Sequence, residues 1–375
     1  MKPGPIDRLP STLAVAAACA AMAFSLWPLN TAGIAAGVTG RSGTTRLAPG
    51  IRVERELSGA EFHAYRIAAA AGDFIHLTIE QRGIDVAVTL TRPDGRDVVA
   101  VDASRDDVGS ETVVAVADVS GAHVIKVRRA PTAGARGRYA IQLEDMRAAT
   151  ADDAVRVDAE RAFERGRALL LTARPAAYGT ALDEFHVAID RYHGLRDRPG
   201  ELKTAIEIAG AEALLVRPGA LRSAQFAVEL AQEVGAPPDR ARALRMLGRA
   251  LERAGDRPAA LRAYEEASAL LRGLHDPFDE ALTVNDEGII YGQTGDAEQA
   301  VVKFERALAL ARAARRDLSP GVLNNLGIAY KDLGQYEKSL DAYERAVARA
   351  RTDHDRSLEA TILNNMGNVA TAGPP

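Results

Sequence analysis

With 375 residues and 47% hydrophobic side chains, the chain is long enough for two or three domains with substantial cores. A net charge of −4, with acids and bases interleaved, leaves no electrostatic footprint for nucleic acid. Cys19 is the only cysteine, so an internal disulfide, a cysteine-based zinc cage and a cysteine nucleophile in a folded domain are all excluded.

Residues 1–40 read as a signal peptide or N-terminal anchor. Lys2 and Arg8 supply a positive start, an apolar run follows from Leu13 to Trp27, and small residues such as Ala32, Gly33 and Ala35 come after Pro28 and Asn30. About 15 apolar residues fall short of the ~20 of a membrane span, so cleavage is expected ahead of an inner-membrane anchor. Ala16-Ala17-Ala18-Cys19 has the place of a lipoprotein box but lacks its branched aliphatic residue. The expected location is the periplasm or the extracellular space.

Residues 50–146 carry β-rich runs with period-2 stretches, at Ile75–Glu80, Val86–Leu90, Val113–Ala117, Val124–Val127 and Tyr139–Leu143. Gly72-Asp73, Pro93-Asp94-Gly95 and Ser120-Gly121 punctuate them as turns. About eight short strands at this spacing predict an antiparallel sandwich. The order Tyr65-Arg-Ile, Gly72-Asp-Phe, Asp85-Val, Pro93-Asp-Gly95, Gly121 and Gly137-Arg-Tyr139 resembles the pre-peptidase C-terminal type of β-sandwich. That resemblance implies binding or chaperoning. Met146 to Asp153 is a short linker.

From 154 to 372 the chain repeats. Ala181, Ala220, Ala260, Ala300 and Ser339 form a column with steps of 39, 40, 40 and 39. Phe185, Ala224, Tyr264, Phe304 and Tyr343 follow four residues later, and Ala188, Ala227, Ala267, Ala307 and Ala346 seven later. Residues i, i+4 and i+7 share one helix face. A fixed period of this length is the mark of a solenoid, in which each unit buries its apolar face against the next. Ahead of each such helix lies another with its own glycine, Gly248, Gly288, Gly327 and Gly367, at steps of 40, 39 and 40. Glycine inside a helix costs about 1 kcal/mol relative to alanine, so its recurrence predicts touching helix backbones there. Gly255, Gly295 and Gly334 end these helices.

The phrase Leu-Gly-x2-Tyr, Gly-x-Tyr, Ala-x3-Phe/Tyr-x2-Ala, complete from Leu326 to Ala346 but for Ser339 in the first alanine place, resembles the tetratricopeptide repeat. The period is five or six residues longer than the 34 typical of that family. Repeats stand out at 241–275, 281–316 and 320–354, and are weaker at 202–236 and 157–196. An incomplete sixth starts at Ala360, which favours a continuing array over a cap. Signal, sandwich and repeats in this order resemble the front part of bacterial CHAT-type tetratricopeptide proteins. In those a caspase-like cysteine-protease domain comes after the repeats; its catalytic histidine and cysteine have no matching positions here. The fold class expected is therefore multidomain, an all-β sandwich followed by an all-α tetratricopeptide solenoid of about five repeats and part of a sixth.

No catalytic, metal or cofactor site emerges. The seven histidines have no ligand spacing, and Asp102-x-Ser104-x-Asp106-Asp107 lacks the glycine and glutamate of a calcium loop. The charges at Glu265-Glu266, Arg312 to Arg316 and Glu344-Arg345 read as solvated faces. One polar constellation stands out. With the repeat glycine as position 8, position 5 holds Arg245, Asn285, Asn324 and Asn364, and position 6 holds Met246, Asp286, Asn325 and Asn365. Asparagine is a poor helix former, yet it recurs mid-helix. In the tetratricopeptide family such asparagines line the concave groove and bond a ligand's main chain. The resemblance thus implies a peptide-binding set of Asn285, Asp286, Asn324, Asn325, Asn364 and Asn365, flanked by Arg249 and Lys331; bonding between neighbouring repeats is the competing role. The function expected is a non-catalytic scaffold for a protein or peptide partner, without nucleic acid and with a membrane tether only through the N-terminus. The alternative is the substrate-recruiting or regulatory front of a CHAT-type cysteine protease.

Overall fold

The computed structural model describes residues 44–101, 108–130, 136–172 and 174–372. The export segment with Cys19, and the loop of Asp102, Ser104, Asp106 and Asp107, lie outside the described residues. The rest divides into two compact units between Ala250 and Leu251.

The first unit opens with nine strands: β1 (Thr45–Arg46), β2 (Arg52–Ser58), β3 (Phe62–Ala69), β4 (Asp73–Arg82), β5 (Val86–Thr91), β6 (Asp97–Val101), β7 (Val108–Val116), β8 (Gly121–Arg129) and β9 (Arg136–Ala148). They form two sheets, β1-β3-β8-β5-β6 and β2-β9-β4-β7. All pairs are antiparallel except the two-residue β1, which runs parallel to β3. Alternation along each strand explains the packing. Ile75, Leu77 and Ile79 of β4 face inward and share one buried cluster with Tyr65, Ile67, Val88, Ile125 and Val127 of the other sheet. Two inward faces in one core make a sandwich. The hydroxyls of Tyr65 and Tyr139 meet at 2.6 Å inside it, and His63 Nδ1 lies 2.7 Å from Tyr139.

Strand β9 leads almost directly into α1 (Ala151–Leu171), followed by α2 (Pro175–Gly194), α3 (Arg198–Leu214), α4 (Ala220–Val234) and α5 (Pro237–Arg253). Thr150 caps α1 in a reciprocal box with Asp153. Asp153 is buried and takes Arg147 of β9 through both oxygens, at 2.5 and 3.0 Å. The Arg147 guanidinium also lies 5.3 Å from the Phe74 ring centroid, and Phe74, Val114 and Val157 bury together. The sandwich is thereby fastened to the first helix.

The second unit holds α6 (Arg257–Gly273), α7 (Pro277–Thr294), α8 (Ala297–Ala313), α9 (Pro320–Asp332), α10 (Tyr336–Thr352) and α11 (Arg356–Ala372). Asp256, Asp276 and Asp296 cap helices by accepting from the backbone N–H three residues on. Gly255, Gly295 and Gly334 take the left-handed conformation that ends the helices before α6, α8 and α10, at φ of 86°, 82° and 71°.

The small columns are buried as expected: Ala260, Ala300, Ser339, Ala267, Ala307 and Ala346 are fully covered. Two of the mid-helix glycines, Gly288 and Gly327, do something other than join backbones, while Gly367 has no neighbouring atom among the described residues within 4 Å of a Cβ position. A Cβ on Gly288 would fall 2.7 Å from Phe304, and one on Gly327 2.6 Å from Tyr343, so each glycine is the seat of an aromatic ring from the next helix. Gly166 of α1 stands in the same relation to Phe185, at 2.5 Å. In the second repeat alanines replace both members: Ala209 and Ala224 share a buried cluster. Without a ring, no glycine is needed.

Arg316, expected on a solvated face, instead lies 3.4 Å over the Phe278 ring. Buried acids tie the second unit together. Glu287 accepts from Ser268 Oγ at 2.7 Å and pairs with Lys303, while Glu280 pairs with Arg272 and Arg306 at 3.2 and 2.6 Å.

Candidate functional site

The recurring amides sit on α7, α9 and α11, the first helices of successive repeats in the second unit. Asn365 Nδ2 donates to Asn324 Oδ1 at 2.9 Å, and Asn324 is buried. This bond links α11 to α9, so these two asparagines join neighbouring repeats.

One repeat earlier the same two positions are differently engaged. Asn285, half-buried on α7, donates among the described residues only to Asp286 Oδ1, at a long 3.4 Å. Its own Oδ1 is shielded from solvent and meets no hydrogen-bond donor among the described residues. Asp286 is buried. Asn325 is half-buried and Asn364 exposed, and neither side chain has a hydrogen-bond partner among the described residues. Lys331 pairs with Asp332 at 3.3 Å. Arg249, half-buried on α5, belongs to the first unit. The half-buried side chains of Ile289 and Ile328 stand at position 9.

The chemistry these groups offer is hydrogen bonding rather than proton transfer. An amide presents a donor and an acceptor in one plane, the complement of a peptide group. A buried carbonyl oxygen without a donor costs roughly 1–3 kcal/mol, which a bound N–H relieves. Among the described residues no group of three or more histidine, cysteine or acidic side chains converges as a metal site. No described helix is long and apolar enough to cross a membrane.

A second concavity was not apparent in the sequence. It lies between α8 and α10 above α9 and is built from Glu305, Leu308, Arg312, Leu326, Tyr330 and Lys338, among others. No spacing rule joins these residues, because they come from three helices and meet only in the folded chain. The nearest signal was Tyr330, which closes the Leu-Gly-x2-Tyr phrase.

Comparison with known families brings the helices into focus. Residues 279–352 and 318–373 match one tetratricopeptide-repeat profile, and 243–277 match a second. The helical part is a tetratricopeptide solenoid. Among solved structures, a Rap protein complexed with Competence and Sporulation Factor superposes with a TM-score of 0.51 at 16% identity, over 55% of this chain and 57% of that one. Aspartyl phosphate phosphatase F from Bacillus subtilis gives 0.49 at 15%, over 57% and 56%. NprR with its cognate peptide NprX gives 0.47 at 16%, over 56% and 61%. The chain thus spans little more than half the length of these proteins. No curated protein sequence matches it. The profile matches fall in the tetratricopeptide helices and leave the sandwich outside.

Proposed function

We propose that the chain is a non-catalytic scaffold that holds a peptide, or an extended segment of a protein partner, against the first helices of its repeats. The observation that carries this is the unsatisfied, shielded Oδ1 of Asn285, one repeat before the uncommitted amide of Asn325. A peptide laid across successive repeats meets both, donating a main-chain N–H to the first. Asn324 and Asn365, bonded to each other, support the array instead. The likeness to the Rap protein, which was crystallised with the Competence and Sporulation Factor, supports the same reading. Asp286 and Lys331 flank the strip within the second unit.

The test starts with a random-peptide library selected against the full chain, followed by fluorescence anisotropy with the best binder. Two lost hydrogen bonds of ~1 kcal/mol each weaken binding by roughly 10- to 100-fold in Asn285→Ala/Asn325→Ala. Wild-type affinity in that double variant would remove the groove from the account.

The order of sandwich and repeats supports a second reading, the substrate-recruiting front of a CHAT-type cysteine protease. Reading the gene downstream decides between the two: an in-frame His-Gly followed by a cysteine motif favours the protease. We also propose export across the inner membrane, with any membrane tether confined to residues 1–40. A reporter active only in the periplasm, fused after residue 45, should become active; an expressed but silent fusion counts against export.

A further inference from the structure

The second helices α8 and α10 stand apart above α9, leaving a cleft of about 570 Å³, within the range of small-ligand sites. Its floor is apolar, formed by Leu308, Leu326, Ala342 and the ring of Tyr330. Tyr330 is buried and its hydroxyl donates to Glu305 Oε1, which holds that carboxylate at the α8 wall. Burial and this bond push the Tyr330 hydroxyl up to about 12, so it stays a donor throughout the physiological range.

The charges around the floor are unevenly matched. Asp341 and Arg345 of α10 pair with each other at 3.3 Å. Among the described residues Glu305 has no basic partner within ion-pair distance. Among the described residues Lys338 of α10 has no carboxylate partner; its ammonium lies 5.4 Å from the Tyr330 ring centroid. Arg312 of α8 donates only Nε, to Leu308 O of its own helix at 3.2 Å. With Glu337 of α10 also on the rim and unpaired among the described residues, the cleft therefore carries two unmatched anions and two unmatched cations around one apolar floor.

A ligand that satisfies them has a cationic end, an anionic end and an apolar body between. We propose that the cleft binds short peptides with free termini, the ammonium at Glu305, the carboxylate at Lys338 and Arg312, and an apolar side chain on Leu308 and Leu326. The site is separate from the amide strip on the first helices and stands whether or not that strip binds a partner. The free tripeptide form matches the charges; an internal segment of a longer protein brings no charged termini and is disfavoured.

Isothermal titration of the full chain with the tripeptide Leu-Ala-Leu, and with its N-acetylated, C-amidated form, provides the test. The free peptide is expected to bind saturably, the blocked one at least tenfold more weakly, and 0.5 M sodium chloride to weaken the free one. Glu305→Gln and Lys338→Gln should each lower affinity by fivefold or more, while Val302→Ala, on the exposed side of α8 outside the cleft, leaves it unchanged. Glu305→Gln keeps an acceptor for Tyr330, so the fold persists, and circular dichroism verifies it. No saturable binding of the free peptide overturns the proposal. So does equal binding of the two forms, or indifference to both substitutions in folded protein.

Discussion

Gly327 explains why a glycine recurs in a helix that would be more stable with alanine. The Tyr343 ring lies where a Cβ would go, and Ser339 Oγ donates to the Gly327 carbonyl at 2.7 Å. An alanine there gains about 1 kcal/mol of helix propensity but forces a fully buried ring aside, and overpacking costs typically 1–3 kcal/mol. Gly327→Ala should therefore lower the denaturant midpoint of the transition that includes α9 and α10; a raised midpoint would show that the ring yields freely. Val216 presents the reverse case. It occupies the left-handed position after α3, at φ 53°, with Arg217 N bonded back to Glu212 O at 2.9 Å, where Gly255, Gly295 and Gly334 end α5, α7 and α9. A left-handed residue costs an L-amino acid roughly 1–2 kcal/mol, and a β-branched one is a genuine outlier. Val216→Gly should raise the melting temperature by a few degrees, the scale of ~1 kcal/mol; an unchanged or lower value contradicts the strain. The recurring glycines were legible as a column, but their purpose was not. Gly166 escaped notice because the second repeat, with Ala209 and Ala224, interrupts the series.

At the scale of elements, α1 is the hinge between two kinds of order. Its first turn is fixed to β9 by Arg147 and Asp153, and its own Glu160 accepts from Lys203 and Tyr192 of the next helices. Glu164 lies in that region without a hydrogen-bond partner among the described residues, and burial pushes its carboxyl up to about 7. Glu160 and Glu111 add to the shift, while Arg167 and Lys203 oppose it. A carboxyl raised in the folded state favours its neutral form. Its contribution to stability is complete below the ordinary value of 4.5 and is lost as the pH rises through about 7. Asp153 has the opposite sign: Arg147 holds it far below the usual carboxylate range, so its contribution is lost only in acid. His76 is lowered by burial and loses stability as the pH falls below 6.5, but it does so equally in wild type and variant. Glu164→Gln should thus gain melting temperature over wild type progressively between pH 5 and 8. Parallel curves would mean that Glu164 is ordinarily solvated. Such burial has no trace in the sequence, where Glu164 is one more acid among alternating charges.

For the whole molecule, the architecture could be read before any coordinates: strands with period 2, then helix pairs at 39 to 40 residues. The amides were legible as a set, but their division was not. Positions 5 and 6 both hold asparagine on α9 and α11, and only the geometry shows Asn324 and Asn365 spent on each other while Asn285 and Asn325 are left uncommitted. The cleft at Tyr330 is lined from three helices, a meeting that no one-dimensional pattern records. The central claim is that partners bind along the first helices near Asn285 and Asn325. Hydrogen–deuterium exchange of the full chain, with and without the selected peptide, locates that surface directly. The account predicts added protection in 279–294 and 320–332, with 298–313 and 336–352 little changed. Protection confined to the second helices, or spread over the sandwich strands, would contradict it.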